Sequence, residues 1–174
     1  MTAGRRRRRG GPKRARVLWV EDSAHFENTM LAAPVILSDQ FELVVALDAT
    51  DGIRHLRRSV FDAVVVDIRL PPGDDQWWVN FYMDLFKKNR PPRLGLKLLE
   101  IVLIGDKNFE NANFAAVLRD PRRYGVLSVE NRSDLMADLQ RLRVGVYRDK
   151  GAGDDPEVLL QTINDILTQC SGAG

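Results

Sequence analysis

The sequence predicts an α/β protein with a doubly wound, five-stranded parallel sheet. Three observations carry that expectation. Val17-Leu18-Trp19-Val20 and Ala63-Val64-Val65-Val66 are short apolar runs rich in β-branched residues, the composition of strands covered on both faces. Each run ends in carboxylate, Glu21-Asp22 after the first and Asp67 after the second. Finally, strand and helix patterns alternate along most of the chain, the order expected of βαβ units.

The first strand spans Ala15 to Val20. A helix is expected from Ser23 to Ser38, with Ser23 as its cap and Phe26, Met30, Leu31 and Ile36 on its inner side; Pro34 should kink or shorten it. Phe41 to Leu47 reads as the second strand. Thr50 or Asp51 can cap the next helix, which holds Ile53 and Leu56 and closes near Phe61-Asp62. The third strand, Ala63 to Asp67, is the clearest segment.

Pro71 to Asp75 is a turn. Trp77, Trp78, Phe81, Tyr82, Leu85 and Phe86 then recur at helical spacing. Such a density of rings needs burial. It can extend the core, form a homodimer or partner surface, or roof part of the acidic edge. Asn89 to Arg93 breaks this helix and another starts near Leu94. Lys107 to Asn113 is polar, and Phe114 to Leu118 is a short helical turn. Tyr124 to Val129 gives a fourth strand, Asp134 to Leu142 a helix, and Arg143 to Tyr147 a fifth strand. Pro156 takes an N1 position before a final helix lined by Val158, Leu159, Ile163, Ile166 and Leu167.

Composition narrows the function. The chain has 174 residues, is 44% hydrophobic and carries a formal charge of +2, enough for one domain with tails. Residues 1–14 read as a disordered basic tail containing Arg5 to Arg9, and this tail is the one segment suited to nucleic acid. The single cysteine, Cys170, excludes an internal disulfide and fits a reducing cytoplasm. No apolar run approaches the roughly 20 residues of a membrane span. His25 and His55 form no recognisable triad, and no phosphate-binding Gly-rich loop is present, so a hydrolase is disfavoured.

Parallel strands deliver Glu21, Asp22 and Asp67 to the edge where open α/β sheets bind ligands. Three carboxylates there repel one another unless a cation joins them. Mg²⁺ suits such an all-oxygen site, and one carboxylate can then serve as a nucleophile.

With these residues the chain resembles the receiver domain of bacterial two-component response regulators, from about Ala15 to Thr168. The resemblance implies a flavodoxin-like sheet in the order 2-1-3-4-5. It identifies Glu21 and Asp22 with the family's acidic pair and Asp67, in Val66-Asp67-Ile68-Arg69-Leu70-Pro71, with the phosphoacceptor. Ser128 matches the hydroxyl residue after the fourth strand and Lys150 the lysine after the fifth. Tyr147, three positions earlier, matches the aromatic switch. The backbone carbonyl of Arg69 becomes the third protein ligand for Mg²⁺, and the side chains of Arg69 and Glu130 take positions that tune the lifetime of the phosphorylated state.

The chain also departs from the family. Asp67 and Ser128 are 61 residues apart, far more than in ordinary receivers. The excess implies a receiver-like domain over 15–170 with an aromatic-rich insertion near 74–93 and a polar extension near 105–122. Lys150-Gly151 replaces the frequent Lys-Pro step. The resulting expectation is a stand-alone switch that takes a phosphoryl group from a histidine kinase or phosphotransfer protein. No turnover is expected beyond self-phosphorylation and autodephosphorylation. Two alternatives stay open, a phosphorylation-independent interaction module and a nucleic-acid adaptor acting through the tail.

Overall fold

The structure is a computed structural model that describes residues 13–25, 29–110, 112–151 and 155–172. Five parallel strands, β1 (Ala15–Val20), β2 (Phe41–Ala46), β3 (Ala63–Val66), β4 (Tyr124–Ser128) and β5 (Val146–Asp149), form one sheet in the order β2-β1-β3-β4-β5. Val20 pairs with Ala46 on one side and Val66 on the other, and Val66 pairs with Val126. The strand ends are therefore level, and the residues that follow them meet at one edge.

Among the described residues, six α-helices accompany the sheet: α1 (Thr29–Leu37), α2 (Ala49–Arg58), α3 (Gln76–Lys87), α4 (Leu94–Leu103), α5 (Arg132–Leu142) and α6 (Val158–Ser171). Alternation along the strands divides the core. Leu18, Val20, Val64, Val66 and Val126 face α2, α4 and α5 through Ile53, Leu98, Val102 and Leu135. Val17, Trp19, Val65 and Leu127 face α1 and α6 through Val35, Leu159 and Ile163. Strands with two buried faces need the unbroken apolar runs seen in the sequence.

The aromatic segment is helical, and Asp75 caps it by accepting from Trp77 N–H at 2.9 Å. Trp78 is fully buried, while Trp77, Phe81, Tyr82 and Leu85 pack partly buried against the same core. Trp77 and Phe81 stack with centroids 5.2 Å apart, and Phe109 closes on Trp77 edge-on at 4.8 Å. The rings thus cover the chain's own apolar surface. Phe86, expected among them, is exposed.

Several local expectations are corrected. Ser23, expected as a helix cap, lies inside a 3-10 turn, Asp22–His25, and its hydroxyl donates to Glu21, while α1 spans Thr29–Leu37 among the described residues. Leu31 faces the core as expected, but Met30 and Ile36 are exposed and Ala32 and Val35 face the core instead; Phe26 lies outside the described residues. Asp48, not Thr50 or Asp51, caps α2, accepting from Asp51 N–H at 2.7 Å. Ser59 ends that helix, which leaves Phe61 free to enter the core. The fifth strand starts later than expected because Arg143 adopts φ +58° and closes α5, its N–H reaching Gln140 O. Pro156 precedes α6 by a turn rather than opening it.

Two glycines shape the edge. Gly73 adopts φ +80° in the turn before α3, a conformation that strains residues with a Cβ. Gly95, in the first turn of α4, lies against the backbone after β3. A Cβ there would sit 1.9 Å from the carbonyl oxygen of Asp67. Its N–H donates to Ile68 O at 3.0 Å. No peptide among the described residues is cis, so the Lys150-Gly151 step is trans.

Candidate functional site

The ladders continue one residue past the strands and fix the site. Glu21 N–H donates to Ala46 O at 2.8 Å, Asp67 N–H to Val20 O at 2.9 Å, and Lys150 N–H to Ser128 O at 3.0 Å. Glu21 and Asp67 are buried and Asp22 is exposed. One carboxylate oxygen from each of the three lies within 4.8 Å of the others.

Lys150 bridges the two buried acids. Its Nζ donates to Glu21 Oε2 at 2.5 Å and to Asp67 Oδ2 at 3.1 Å. Ser23 Oγ donates to Glu21 Oε1 at 2.7 Å, and Ile68 N–H to Asp67 Oδ1 at 2.6 Å. Burial pushes the Glu21 carboxyl above its ordinary range, Lys150 opposes this, and Asp67 adds to the rise. Burial alone would lower the Lys150 ammonium, but Glu21 and Asp67 outweigh it and hold the pKa up. The lysine keeps its proton.

Three carboxylates against one ammonium leave two negative charges in a set of oxygen donors. A hard divalent cation such as Mg²⁺ fits that chemistry. Glu21, Asp22 and Asp67 would hold it; Arg69, whose carbonyl was expected to join them, lies two residues beyond Asp67. His25 adds nothing to this reading, since its side chain lies outside the described residues.

A second cluster stands beside the first. The Glu130 carboxylate, only 5% exposed, accepts from Arg69 Nε at 2.7 Å and from Arg93 Nη2 at 3.0 Å. Burial would raise its pKa, but the two guanidinium groups outweigh burial and hold it below the ordinary range. The Glu130 backbone is engaged as well. Its N–H donates to Ser128 Oγ at 3.4 Å, and its carbonyl accepts from the Tyr147 hydroxyl. Ser128 is fully buried and Tyr147 half-buried. All the residues singled out from the sequence therefore lie in two adjoining clusters.

Arg93 was not singled out, although a local signal exists. It occupies the N-cap position of α4 without making a cap hydrogen bond. A cation at a helix N-terminus opposes the helix dipole. Breaking that local preference points to a tertiary partner, here Glu130. Asp22, Arg69, Tyr82, Pro91, Pro92 and Glu130 line an open groove of about 420 Å³. The segment from α3 to Arg93 thus supplies a wall beside the acidic cluster as well as cover for the core.

No protein-family model matches the chain, and no curated protein matches it. Solved structures do. A CheY-like response regulator receiver domain protein from Methanospirillum hungatei matches 93% of this chain over its full length, with 17% identity and a TM-score of 0.60. The non-phosphorylated HemR receiver domain from Leptospira biflexa matches 89% of this chain and 95% of its own, with 17% identity and a TM-score of 0.57. A Francisella response regulator receiver domain matches 90% of this chain and 98% of its own, with 16% identity and a TM-score of 0.54. The chain has the receiver fold. No helix among the described residues is long and apolar enough to cross a membrane.

Proposed function

We propose that the chain is a phosphoacceptor signalling switch, with Asp67 as the residue that takes a phosphoryl group from a phosphohistidine of a kinase or phosphotransfer protein. The observation that carries this reading is the meeting of Glu21, Asp22 and Asp67 within 4.8 Å, with Lys150 Nζ 3.1 Å from Asp67. An ionised Asp67 oxygen forms the new O–P bond as the donor's P–N bond breaks, and the bonding pair stays on the imidazole nitrogen. Lys150 offsets the charge that gathers on the phosphoryl oxygens. Mg²⁺ supplies further charge neutralisation when bound by Glu21, Asp22, Asp67 and the Arg69 carbonyl. Ser128 then turns its hydroxyl to a phosphoryl oxygen. That competes with its bond from the Glu130 N–H and couples the site to Tyr147 through the same residue. Opposite charges on Arg69 and Glu130 guard the groove through which water reaches the acyl phosphate, and so set its lifetime.

Intact-mass measurement after incubation with a small phosphodonor tests this. One phosphoryl group should be gained, dependent on Mg²⁺. Asp67→Asn should abolish the gain. Asp62→Asn should not, because Asp62 sits at the opposite end of β3 and accepts from Arg16 N–H there. Labelling that persists in the Asp67→Asn protein rejects the assignment.

A further inference from the structure

Glu130 holds two cations where one would neutralise it, and the two differ in freedom. The Arg69 side chain is 64% exposed and lines the open groove. That of Arg93 is 25% exposed, and its Nη1 also donates to Asp134 O at 3.2 Å. Pro91 and Pro92 precede it and fix its backbone approach. Arg93 is enclosed and tied to a second acceptor, whereas Arg69 is exposed. Arg69 also lies close enough to Asp67 to feel its charge.

We propose that Arg93 is a positioning residue, the standing counter-ion of Glu130 that frees Arg69 to swing to the phosphoryl group on Asp67. This rests on the phosphoacceptor reading and adds to it a residue from the end of the insertion. The physical reason is the burial of Glu130. A buried carboxylate stripped of its only partner is strongly unfavourable, so a single arginine would stay locked to it. With Arg93 in place, Arg69 can leave and Glu130 remains paired. The phosphoryl group brings negative charge two residues from Arg69 and supplies the attraction. The insertion thereby serves the reaction from behind, through a side chain that touches neither donor nor phosphate.

A charge-exchange cycle tests this, following the rate of phosphoryl gain from a small phosphodonor with Mg²⁺ by intact mass. Arg69→Ala should slow phosphorylation about tenfold, the scale of one charge-assisted contact to the transferred group. Arg93→Met should slow it by a similar factor, and the double variant should be no slower than either. Adding Glu130→Gln to Arg93→Met should restore the rate of Glu130→Gln alone, because a neutral amide no longer traps Arg69. Arg90→Ala, exposed in the same turn, is the control and should match the wild type. The Arg69 Nε–H resonance gives a second reading. It should shift on phosphorylation of the wild type and stay at its resting position in Arg93→Met that has been phosphorylated to completion. A rate for Arg93→Met within about twofold of the wild type, additive effects, or failure of Glu130→Gln to rescue each overturns the proposal while leaving the phosphoacceptor reading intact. A wild-type protein that gains no phosphoryl group overturns both.

Discussion

Two charged clusters, each built on buried carboxylate, stand side by side at the carboxyl edge of the sheet as near opposites. In one, Glu21 and Asp67 share the single ammonium of Lys150. In the other, Arg69 and Arg93 share the single carboxylate of Glu130. The first has too little positive charge, and burial drives Glu21 upward. The second has positive charge to spare, and Glu130 is driven down. The difference shows how one edge is prepared for both signs. An acidic surplus has the donor chemistry for a metal cation, and in the proposed function the neighbouring cationic surplus is lent to an incoming anion.

The largest expected effect strikes the contact between the two. Gly95→Ala places a methyl group 1.9 Å from Asp67 O, against backbone that cannot move without displacing Asp67 or the first turn of α4. Denaturant unfolding should show a loss of about 3 kcal/mol, even though alanine favours a helix over glycine. Unchanged stability would mean that α4 does not press on the backbone at Asp67, and that the clusters are independent.

Glu130→Gln should be next, costing about 2 kcal/mol at neutral pH through the loss of two charge-assisted bonds. Its pH dependence carries the sign. The folded pKa of Glu130 lies below the ordinary value, so its ionisation stabilises the fold above that ordinary value. The contribution is lost as pH falls through the folded value. The gap between wild type and Glu130→Gln in thermal melts should therefore hold near neutrality and close in acid.

Glu21→Gln should show the smaller and opposite behaviour. The folded pKa of Glu21 is raised, so its contribution to stability is full below the ordinary carboxylate pKa and is lost as pH rises through the folded value. At neutral pH without divalent ions the variant should melt higher than the wild type, by the equivalent of about 1 kcal/mol. Mg²⁺ at about ten times its dissociation constant should stabilise the wild type by about 1.4 kcal/mol and the variant far less. Equal responses to Mg²⁺ would remove Glu21 from the proposed metal ligands. Parallel pH profiles for the two glutamine variants would dissolve the contrast between the clusters.

The sequence by itself determined the strands and the acidic site, because both follow from short-range rules. An apolar β-branched run declares a buried strand, and parallel strands leave the residues after their ends no choice of edge. That is why Glu21, Asp22 and Asp67 were legible from the strands themselves, whereas Ser128 and Lys150, the latter 129 positions from Glu21, were found only through the family resemblance. The helical character of the Trp77 to Phe86 segment was legible for the same reason, from periodicity alone.

Tertiary structure decided the rest. The apolar surface of α1 runs nearly all round it, so only docking on the sheet and α6 could choose Val35 over Met30 and Ile36 as the buried set. The start of β5 depended on the left-handed Arg143, a conformation the residue type does not announce. Arg93 meets Glu130, 37 positions away, because Gly95 seats the start of α4 against Asp67. Local pattern specifies which face a residue takes. Which charges are buried together depends on the distances between segments, and those are set only when the helices pack.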